Sequence, residues 1–91
     1  MKNGNPKEFI EMLYNGEDTY FIFNGITYFA QGYSLNDMWH YEIVQEDSIS
    51  EFVLWEFDDE SSDIVKAFES AKIFNGKTFW EVEKDIEWID P

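Results

Sequence analysis

Cysteine and arginine are both absent from this 91-residue chain, and histidine occurs once. Without cysteine there is no disulfide framework, no thiolate nucleophile and no cysteine-ligated zinc or iron–sulfur centre. A single imidazole rules out any histidine-rich metal site. The missing arginine removes the planar fork that grips phosphate and carboxylate bidentately and that makes the commonest guanine contact in the major groove. Six lysines against twenty acidic residues leave a net charge of −14. Direct binding to nucleic acid or to an anionic membrane is therefore not expected, because both surfaces attract cations. No run of eighteen apolar residues occurs, and Met1-Lys2-Asn3-Gly4 leads into no signal-peptide core, so cytoplasmic residence is the expectation.

The chain is rich in apolar residues, at 44% hydrophobic and 20% aromatic, which marks a folded chain, read here as a single domain over residues 1–91. Asn5-Pro6-Lys7-Glu8 combines an N-cap residue, proline at the first helical position and glutamate at N3, so a helix is expected over 6–15, closing at Asn15-Gly16. Asn24-Gly25 divides two β-branched and aromatic runs, predicting a hairpin with strands at 19–23 and 26–32. In that register Phe21 faces Tyr28 and Phe23 faces Ile26, with Tyr20, Ile22, Thr27 and Phe29 on the other side. A turn at Ser34-Leu35-Asn36-Asp37 leads to a third strand over 38–45, with Trp39, Tyr41 and Ile43 on one face. A fourth strand over 52–57 places Val53, Trp55 and Phe57 together.

Asp58 to Asp63 reads as an acidic turn that caps a second helix with Ile64, Val65, Phe68 and Ala71 facing inward. Ile73-Phe74-Asn75-Gly76 reads as an apolar plug and turn. The capping box Thr78-Phe79-Trp80-Glu81 predicts a third helix with inner face Phe79, Val82, Ile86 and Ile89, ended by Asp90-Pro91. The expected fold is α+β: an antiparallel meander of three or four strands with one N-terminal and two C-terminal helices, in the order α-β-β-β-β-α-α.

No enzyme constellation emerges. Carboxylates are plentiful, but no sequence feature fixes a general acid/base pair, and no serine near His40 sits in a nucleophile elbow. Asp58 to Asp63 lacks the alternating spacing of a calcium loop, and Gly76-Lys77-Thr78 has Ala71 where a phosphate-binding loop needs its first glycine. The chain is accordingly expected to be non-enzymatic, with no catalytic residue, cofactor or bound metal.

Ile73-Phe74-Asn75-Gly76-Lys77-Thr78-Phe79-Trp80-Glu81-Val82, with Ile86-Glu87-Trp88, resembles the ending of small acidic proteins from low-GC Gram-positive bacteria and their mobile elements. That group has no assigned activity, so the resemblance implies a fold and nothing more. In size, charge and element order, with no shared motif, the chain is also similar to phage-encoded anti-CRISPR and other nucleic-acid-mimic inhibitors, a likeness that implies a basic, nucleic-acid-binding target.

Charge and aromatics carry the functional expectation. Residues 46–91 hold fourteen acidic residues and four lysines, against six and two in residues 1–45. An acidic surface of Asp58, Asp59, Glu60, Asp63, Glu81, Glu83, Asp85 and Glu87 is expected to steer a basic protein partner. Tyr33, Trp39, Tyr41, Trp80 and Trp88 are expected as its aromatic anchors. Two other readings stand beside this one. One is a small-ligand or divalent-metal domain built around the aromatics with Asp58, Asp59 and Asp63. The other is a structural protein that self-associates, as a homodimer, through an exposed sheet face.

Overall fold

A computed structural model describes residues 1–46, 53–59 and 64–89, the side chains of Leu35 and Asp59 excepted. The elements are α1 (Pro6–Tyr14), β1 (Thr19–Phe23), β2 (Ile26–Leu35), β3 (Met38–Gln45), β4 (Val53–Asp59), α2 (Ile64–Ser70), α3 (Phe79–Val82) and β5 (Ile86–Ile89), with a 3-10 turn over Glu83–Asp85 between the last two. This is an α+β fold. The five strands form one antiparallel sheet in the order β4-β3-β2-β1-β5.

Helix α1 starts and stops as its caps dictate. Asn5 Oδ1 accepts from the Lys7 amide at 2.8 Å, and Pro6 fills the first helical position, where an N–H has no intrahelical partner. At the other end Gly16 takes a left-handed φ of 73°. The Gly16 amide donates to the Leu13 carbonyl and the Glu17 amide to the Met12 carbonyl, the paired bonds of a Schellman motif. Two-residue turns with positive φ at both positions join β1 to β2 at Asn24-Gly25 and β2 to β3 at Asn36-Asp37. The second turn is tighter than the four residues expected, so β2 runs on to Leu35. The β1–β2 register is the expected one, with Phe21 opposite Tyr28, Phe23 opposite Ile26 and Tyr20 opposite Phe29.

One face of the sheet packs under the helices. Phe21, Tyr28, Ala30, Ile43 and Ile86 from the sheet meet Phe9 and Leu13 of α1, Phe68 of α2 and Phe79 of α3, and Phe74 plugs the cluster from the α2–α3 connection. Phe9 is its hub. Its ring stacks on Phe79 and meets Phe21 and Trp88 edge-on, each at 5.6 Å between centroids, and Phe68 lies at 6.4 Å.

Two expectations are corrected in the second half of the chain. The third helix does not run to Ile89; it makes one turn and gives way to β5, which pairs with β1. Residues 79–89 satisfy both periodicities, since Phe79, Val82 and Ile86 are spaced for a helix while Ile86 and Trp88 alternate for a strand. The free edge of β1 decides between them. Its backbone groups take partners from β5, and the Trp88 indole N–H reaches the hydroxyl of the fully buried Thr19 at 2.6 Å.

The second correction concerns β4, which continues through Asp58 and Asp59 instead of ending before them. A bulge beside Ile43 and Val44 makes Trp55 pair with Ile43 but Val53 pair with Val44. Leu54 is the extra residue, and it packs against the core. Val53 thus leaves the face it was expected to share with Trp55 and Phe57 and joins the opposite one. Phe52, the expected serine-and-carboxylate cap of α2, and Asp90-Pro91 lie outside the described residues.

Two substitutions probe this packing. Phe9→Ala is expected to cost about 3–5 kcal/mol in urea unfolding, because it removes a ring shared by three helices and two strands. Gly32→Ala is expected to cost about 1–3 kcal/mol. A β-carbon there would stand 2.8 Å from the Gly16 α-carbon and 2.9 Å from the Tyr41 ring. Unchanged denaturation midpoints would contradict either assignment.

Candidate functional site

The second face of the sheet carries the site. Because side chains alternate along each strand, one residue per strand lines up across it: Ile89 of β5, Tyr20 of β1, Phe29 of β2, Val44 of β3 and Val53 of β4. None of the five joins the core cluster beneath the helices. The Tyr20 and Phe29 rings lie 4.8 Å apart. Val53 is exposed and the other four are half-buried. A shallow hollow of about 540 Å³ opens over this row, with Gln31 and Glu42 on its rim.

The next two rows are polar. Gln31, Glu42 and Glu56 form one, and Tyr33, His40 and Asp58 form the other. Glu42 Oε1 accepts from the Tyr33 hydroxyl at 2.9 Å and from the Gln31 amide at 3.2 Å. His40 Nδ1 donates to Asp58 Oδ1, and His40 Nε2 lies 4.0 Å from Glu42 Oε1. The Tyr33 ring packs on the imidazole at 5.1 Å. The bond to Glu42 raises the Tyr33 hydroxyl above its ordinary pKa of 10.0, with desolvation and the charges of Glu42, Glu56 and Asp58 acting in the same direction. Among the described residues no strand contains a lysine. At the β3–β4 end the face is an apolar row beside Glu42, Glu56 and Asp58, with His40 among them; at the other end Glu87 of β5 bridges to Lys2.

The expected acidic surface is not one patch. Asp58 and Asp59 lie on β4, while Glu83, Asp85 and Glu87 lie on the 3-10 turn and β5, at the far side of a five-stranded sheet. Four interstrand steps put about 19 Å between them. Glu60 and Asp63 lie outside the described residues. Several of the remaining carboxylates are engaged locally. Glu83 accepts from the N-terminal ammonium at 2.5 Å and Glu87 from the Asn3 amide at 3.2 Å.

Glu81 accepts at Oε1 from both the amide and the hydroxyl of Thr78, at 3.0 and 3.1 Å, which is its half of the expected capping box. These bonds hold its carboxyl below the ordinary 4.5.

The aromatic candidates divide in the same way. Tyr33, Trp39 and Trp80 are exposed, with Trp80 donating its indole N–H to Glu69 at 2.6 Å. Tyr41 is a correction: it is 2% exposed, and its hydroxyl donates to the Tyr14 carbonyl at 3.2 Å. Gly32 leaves the space its ring fills. Trp88 is likewise withdrawn from the surface, half-buried against Phe9 and bonded to Thr19. Sequence reasoning missed the row through Tyr20, Phe29 and Val44, whose alternation was legible but whose exposure depended on which face the helices cover. Gln31, Glu42 and Glu56 were missed as well, their cross-strand pairing being fixed by turn lengths and the bulge.

No family model, no curated protein and no solved structure matches the chain.

Because Glu81 is held below its ordinary value when folded, its contribution to stability is complete above pH 4.5 and is lost as pH falls through the lowered folded value. Glu81→Gln is expected to remove that part of the acid dependence. An unaltered slope below pH 4.5 in thermal unfolding would contradict the cap.

Proposed function

We propose that the protein is a non-enzymatic binding module that engages a basic protein surface through the face opposite its helices. The observation that supports this reading is the apolar row from Ile89 to Val53 set beside Glu42, Glu56 and Asp58, on strands that contain no lysine. Apolar and aromatic groups at the centre of a contact supply affinity by desolvation, and flanking carboxylates steer and orient a cationic partner. At a net charge of −14, that steering is strong at low ionic strength. A surface built to hold phosphates selects the same features, so a nucleic-acid-binding protein inhibited by occupation of its basic groove fits the chemistry.

The test uses a photocrosslinking residue at Val53, a second at Trp80 as the control, and lysate of a low-GC Gram-positive host with chelator throughout. A basic protein is expected to crosslink from Val53 and not from Trp80, to be lost with Glu56→Lys, and to dissociate as salt rises. Capture of a neutral or acidic protein, indifference to salt, crosslinking from Trp80 alone, or no capture would each overturn the reading.

A further inference from the structure

We propose that the same face holds one first-row divalent metal ion of zinc-like preference, ligated by His40 and Glu42 of β3 and Glu56 of β4. His40 and Glu42 stand two apart on one strand and therefore share a face, and Glu56 is the cross-strand partner of Glu42. One nitrogen or oxygen from each of the three lies within 4.8 Å of the other two. Donors bound at zinc distances in a tetrahedron are roughly 3.4 Å apart. Glu56 is exposed, so rotation of its side chain closes the difference without moving the backbone.

The surroundings favour a metal over a solvated acidic patch. Asp58 accepts a hydrogen bond from His40 Nδ1, so Nε2, the nitrogen facing Glu42, is the one a metal ion would take. This carboxylate–histidine pairing is the one that orients imidazole ligands and raises their basicity. Gln31 and Tyr33 fix the Glu42 carboxylate by donating to it. The His40 and Glu42 side chains are only 13% and 15% exposed, so both are largely withdrawn from solvent on a face that is otherwise open.

Like charges opposite each other across a strand pair are destabilising, and Glu42 opposes Glu56 with no lysine in any described strand to offset them. A divalent cation between them removes that penalty. An imidazole in the ligand set favours zinc, cobalt or nickel over calcium and magnesium, which take oxygen. Three protein ligands leave a fourth position for water or for a donor from a partner.

The experiment is titration of the full chain with zinc chloride in metal-free buffer, read by calorimetry and by nitrogen-15 NMR of the imidazole. Because the chain has one histidine, its ring nitrogens are assigned without ambiguity. One zinc ion per chain is expected, with the Nε2 resonance moving and Nδ1 keeping its proton. Asp58→Asn is expected to weaken binding about 10–100-fold. His40→Gln and Glu56→Gln are expected to abolish saturable binding, while Glu11→Gln on α1 leaves it unchanged. Glu56 lies on the surface, so its variant keeps the test valid should His40→Gln fail to fold, which circular dichroism would show.

An unmoved imidazole, equal losses from Glu56→Gln and Glu11→Gln, or no binding at millimolar zinc would overturn the site. Partner capture in chelator is read separately, so neither result stands in for the other.

Discussion

The ring of Phe9 is the contact on which the rest of this fold depends. It joins α1 to β1 through Phe21, to α2 through Phe68, to α3 through Phe79 and to β5 through Trp88. Short elements such as the four-residue α3 and β5 have little stability of their own, since helix nucleation is costly and a short strand needs a packed face. They hold their places because aromatic side chains tie them to a single centre. Phe68 extends the cluster to Trp55 of β4 and to Phe74, so the outer strands answer to the same rings.

Concentrating apolar mass on one face leaves the other to be settled differently. With three helices on one side, the second side keeps a row of moderate-sized apolar groups and then turns polar within one cross-strand step. The cost of grouping Glu42, Glu56 and Asp58 is met in part by donors from Gln31, Tyr33 and His40. A surface serving only solubility has no need of this order, because carboxylates scattered over helices and loops disperse a protein equally well. The registered arrangement gives the face its candidacy as a site, whether for a basic partner, a cation or both.

Much of the architecture was legible locally. Asn5-Pro6, Asn15-Gly16 and Asn24-Gly25 each act through a few adjacent bonds or a positive φ, and the structure honours all three. The β1–β2 register followed from a turn length that leaves no slack. Legibility failed where the outcome depended on a distant partner. Ile86–Ile89 became a strand because β1 offered an open edge, and Val53 changed faces because Leu54 found a place in the core. The exposure of Tyr41 and Trp88 was misjudged for a related reason. Large rings at positions of mixed pattern go where cavities exist, and here Gly32 leaves room for Tyr41 and Gly4 for Trp88. Net charge was countable from the sequence, but its division between opposite sides of the sheet was not.

The margins of the sheet carry a further consequence. Beside β5, the Lys2 amide donates to the Ile86 carbonyl and the Trp88 amide donates to the Lys2 carbonyl, both at 2.9 Å, so part of that border is already taken. At the other margin β4 presents Glu56 and Asp58. A sheet with an uncovered apolar row is a natural template for fibrils, growing by edge-to-edge addition of further strands. One border partly occupied by Lys2 and one bearing carboxylates oppose that growth at both ends of the sheet.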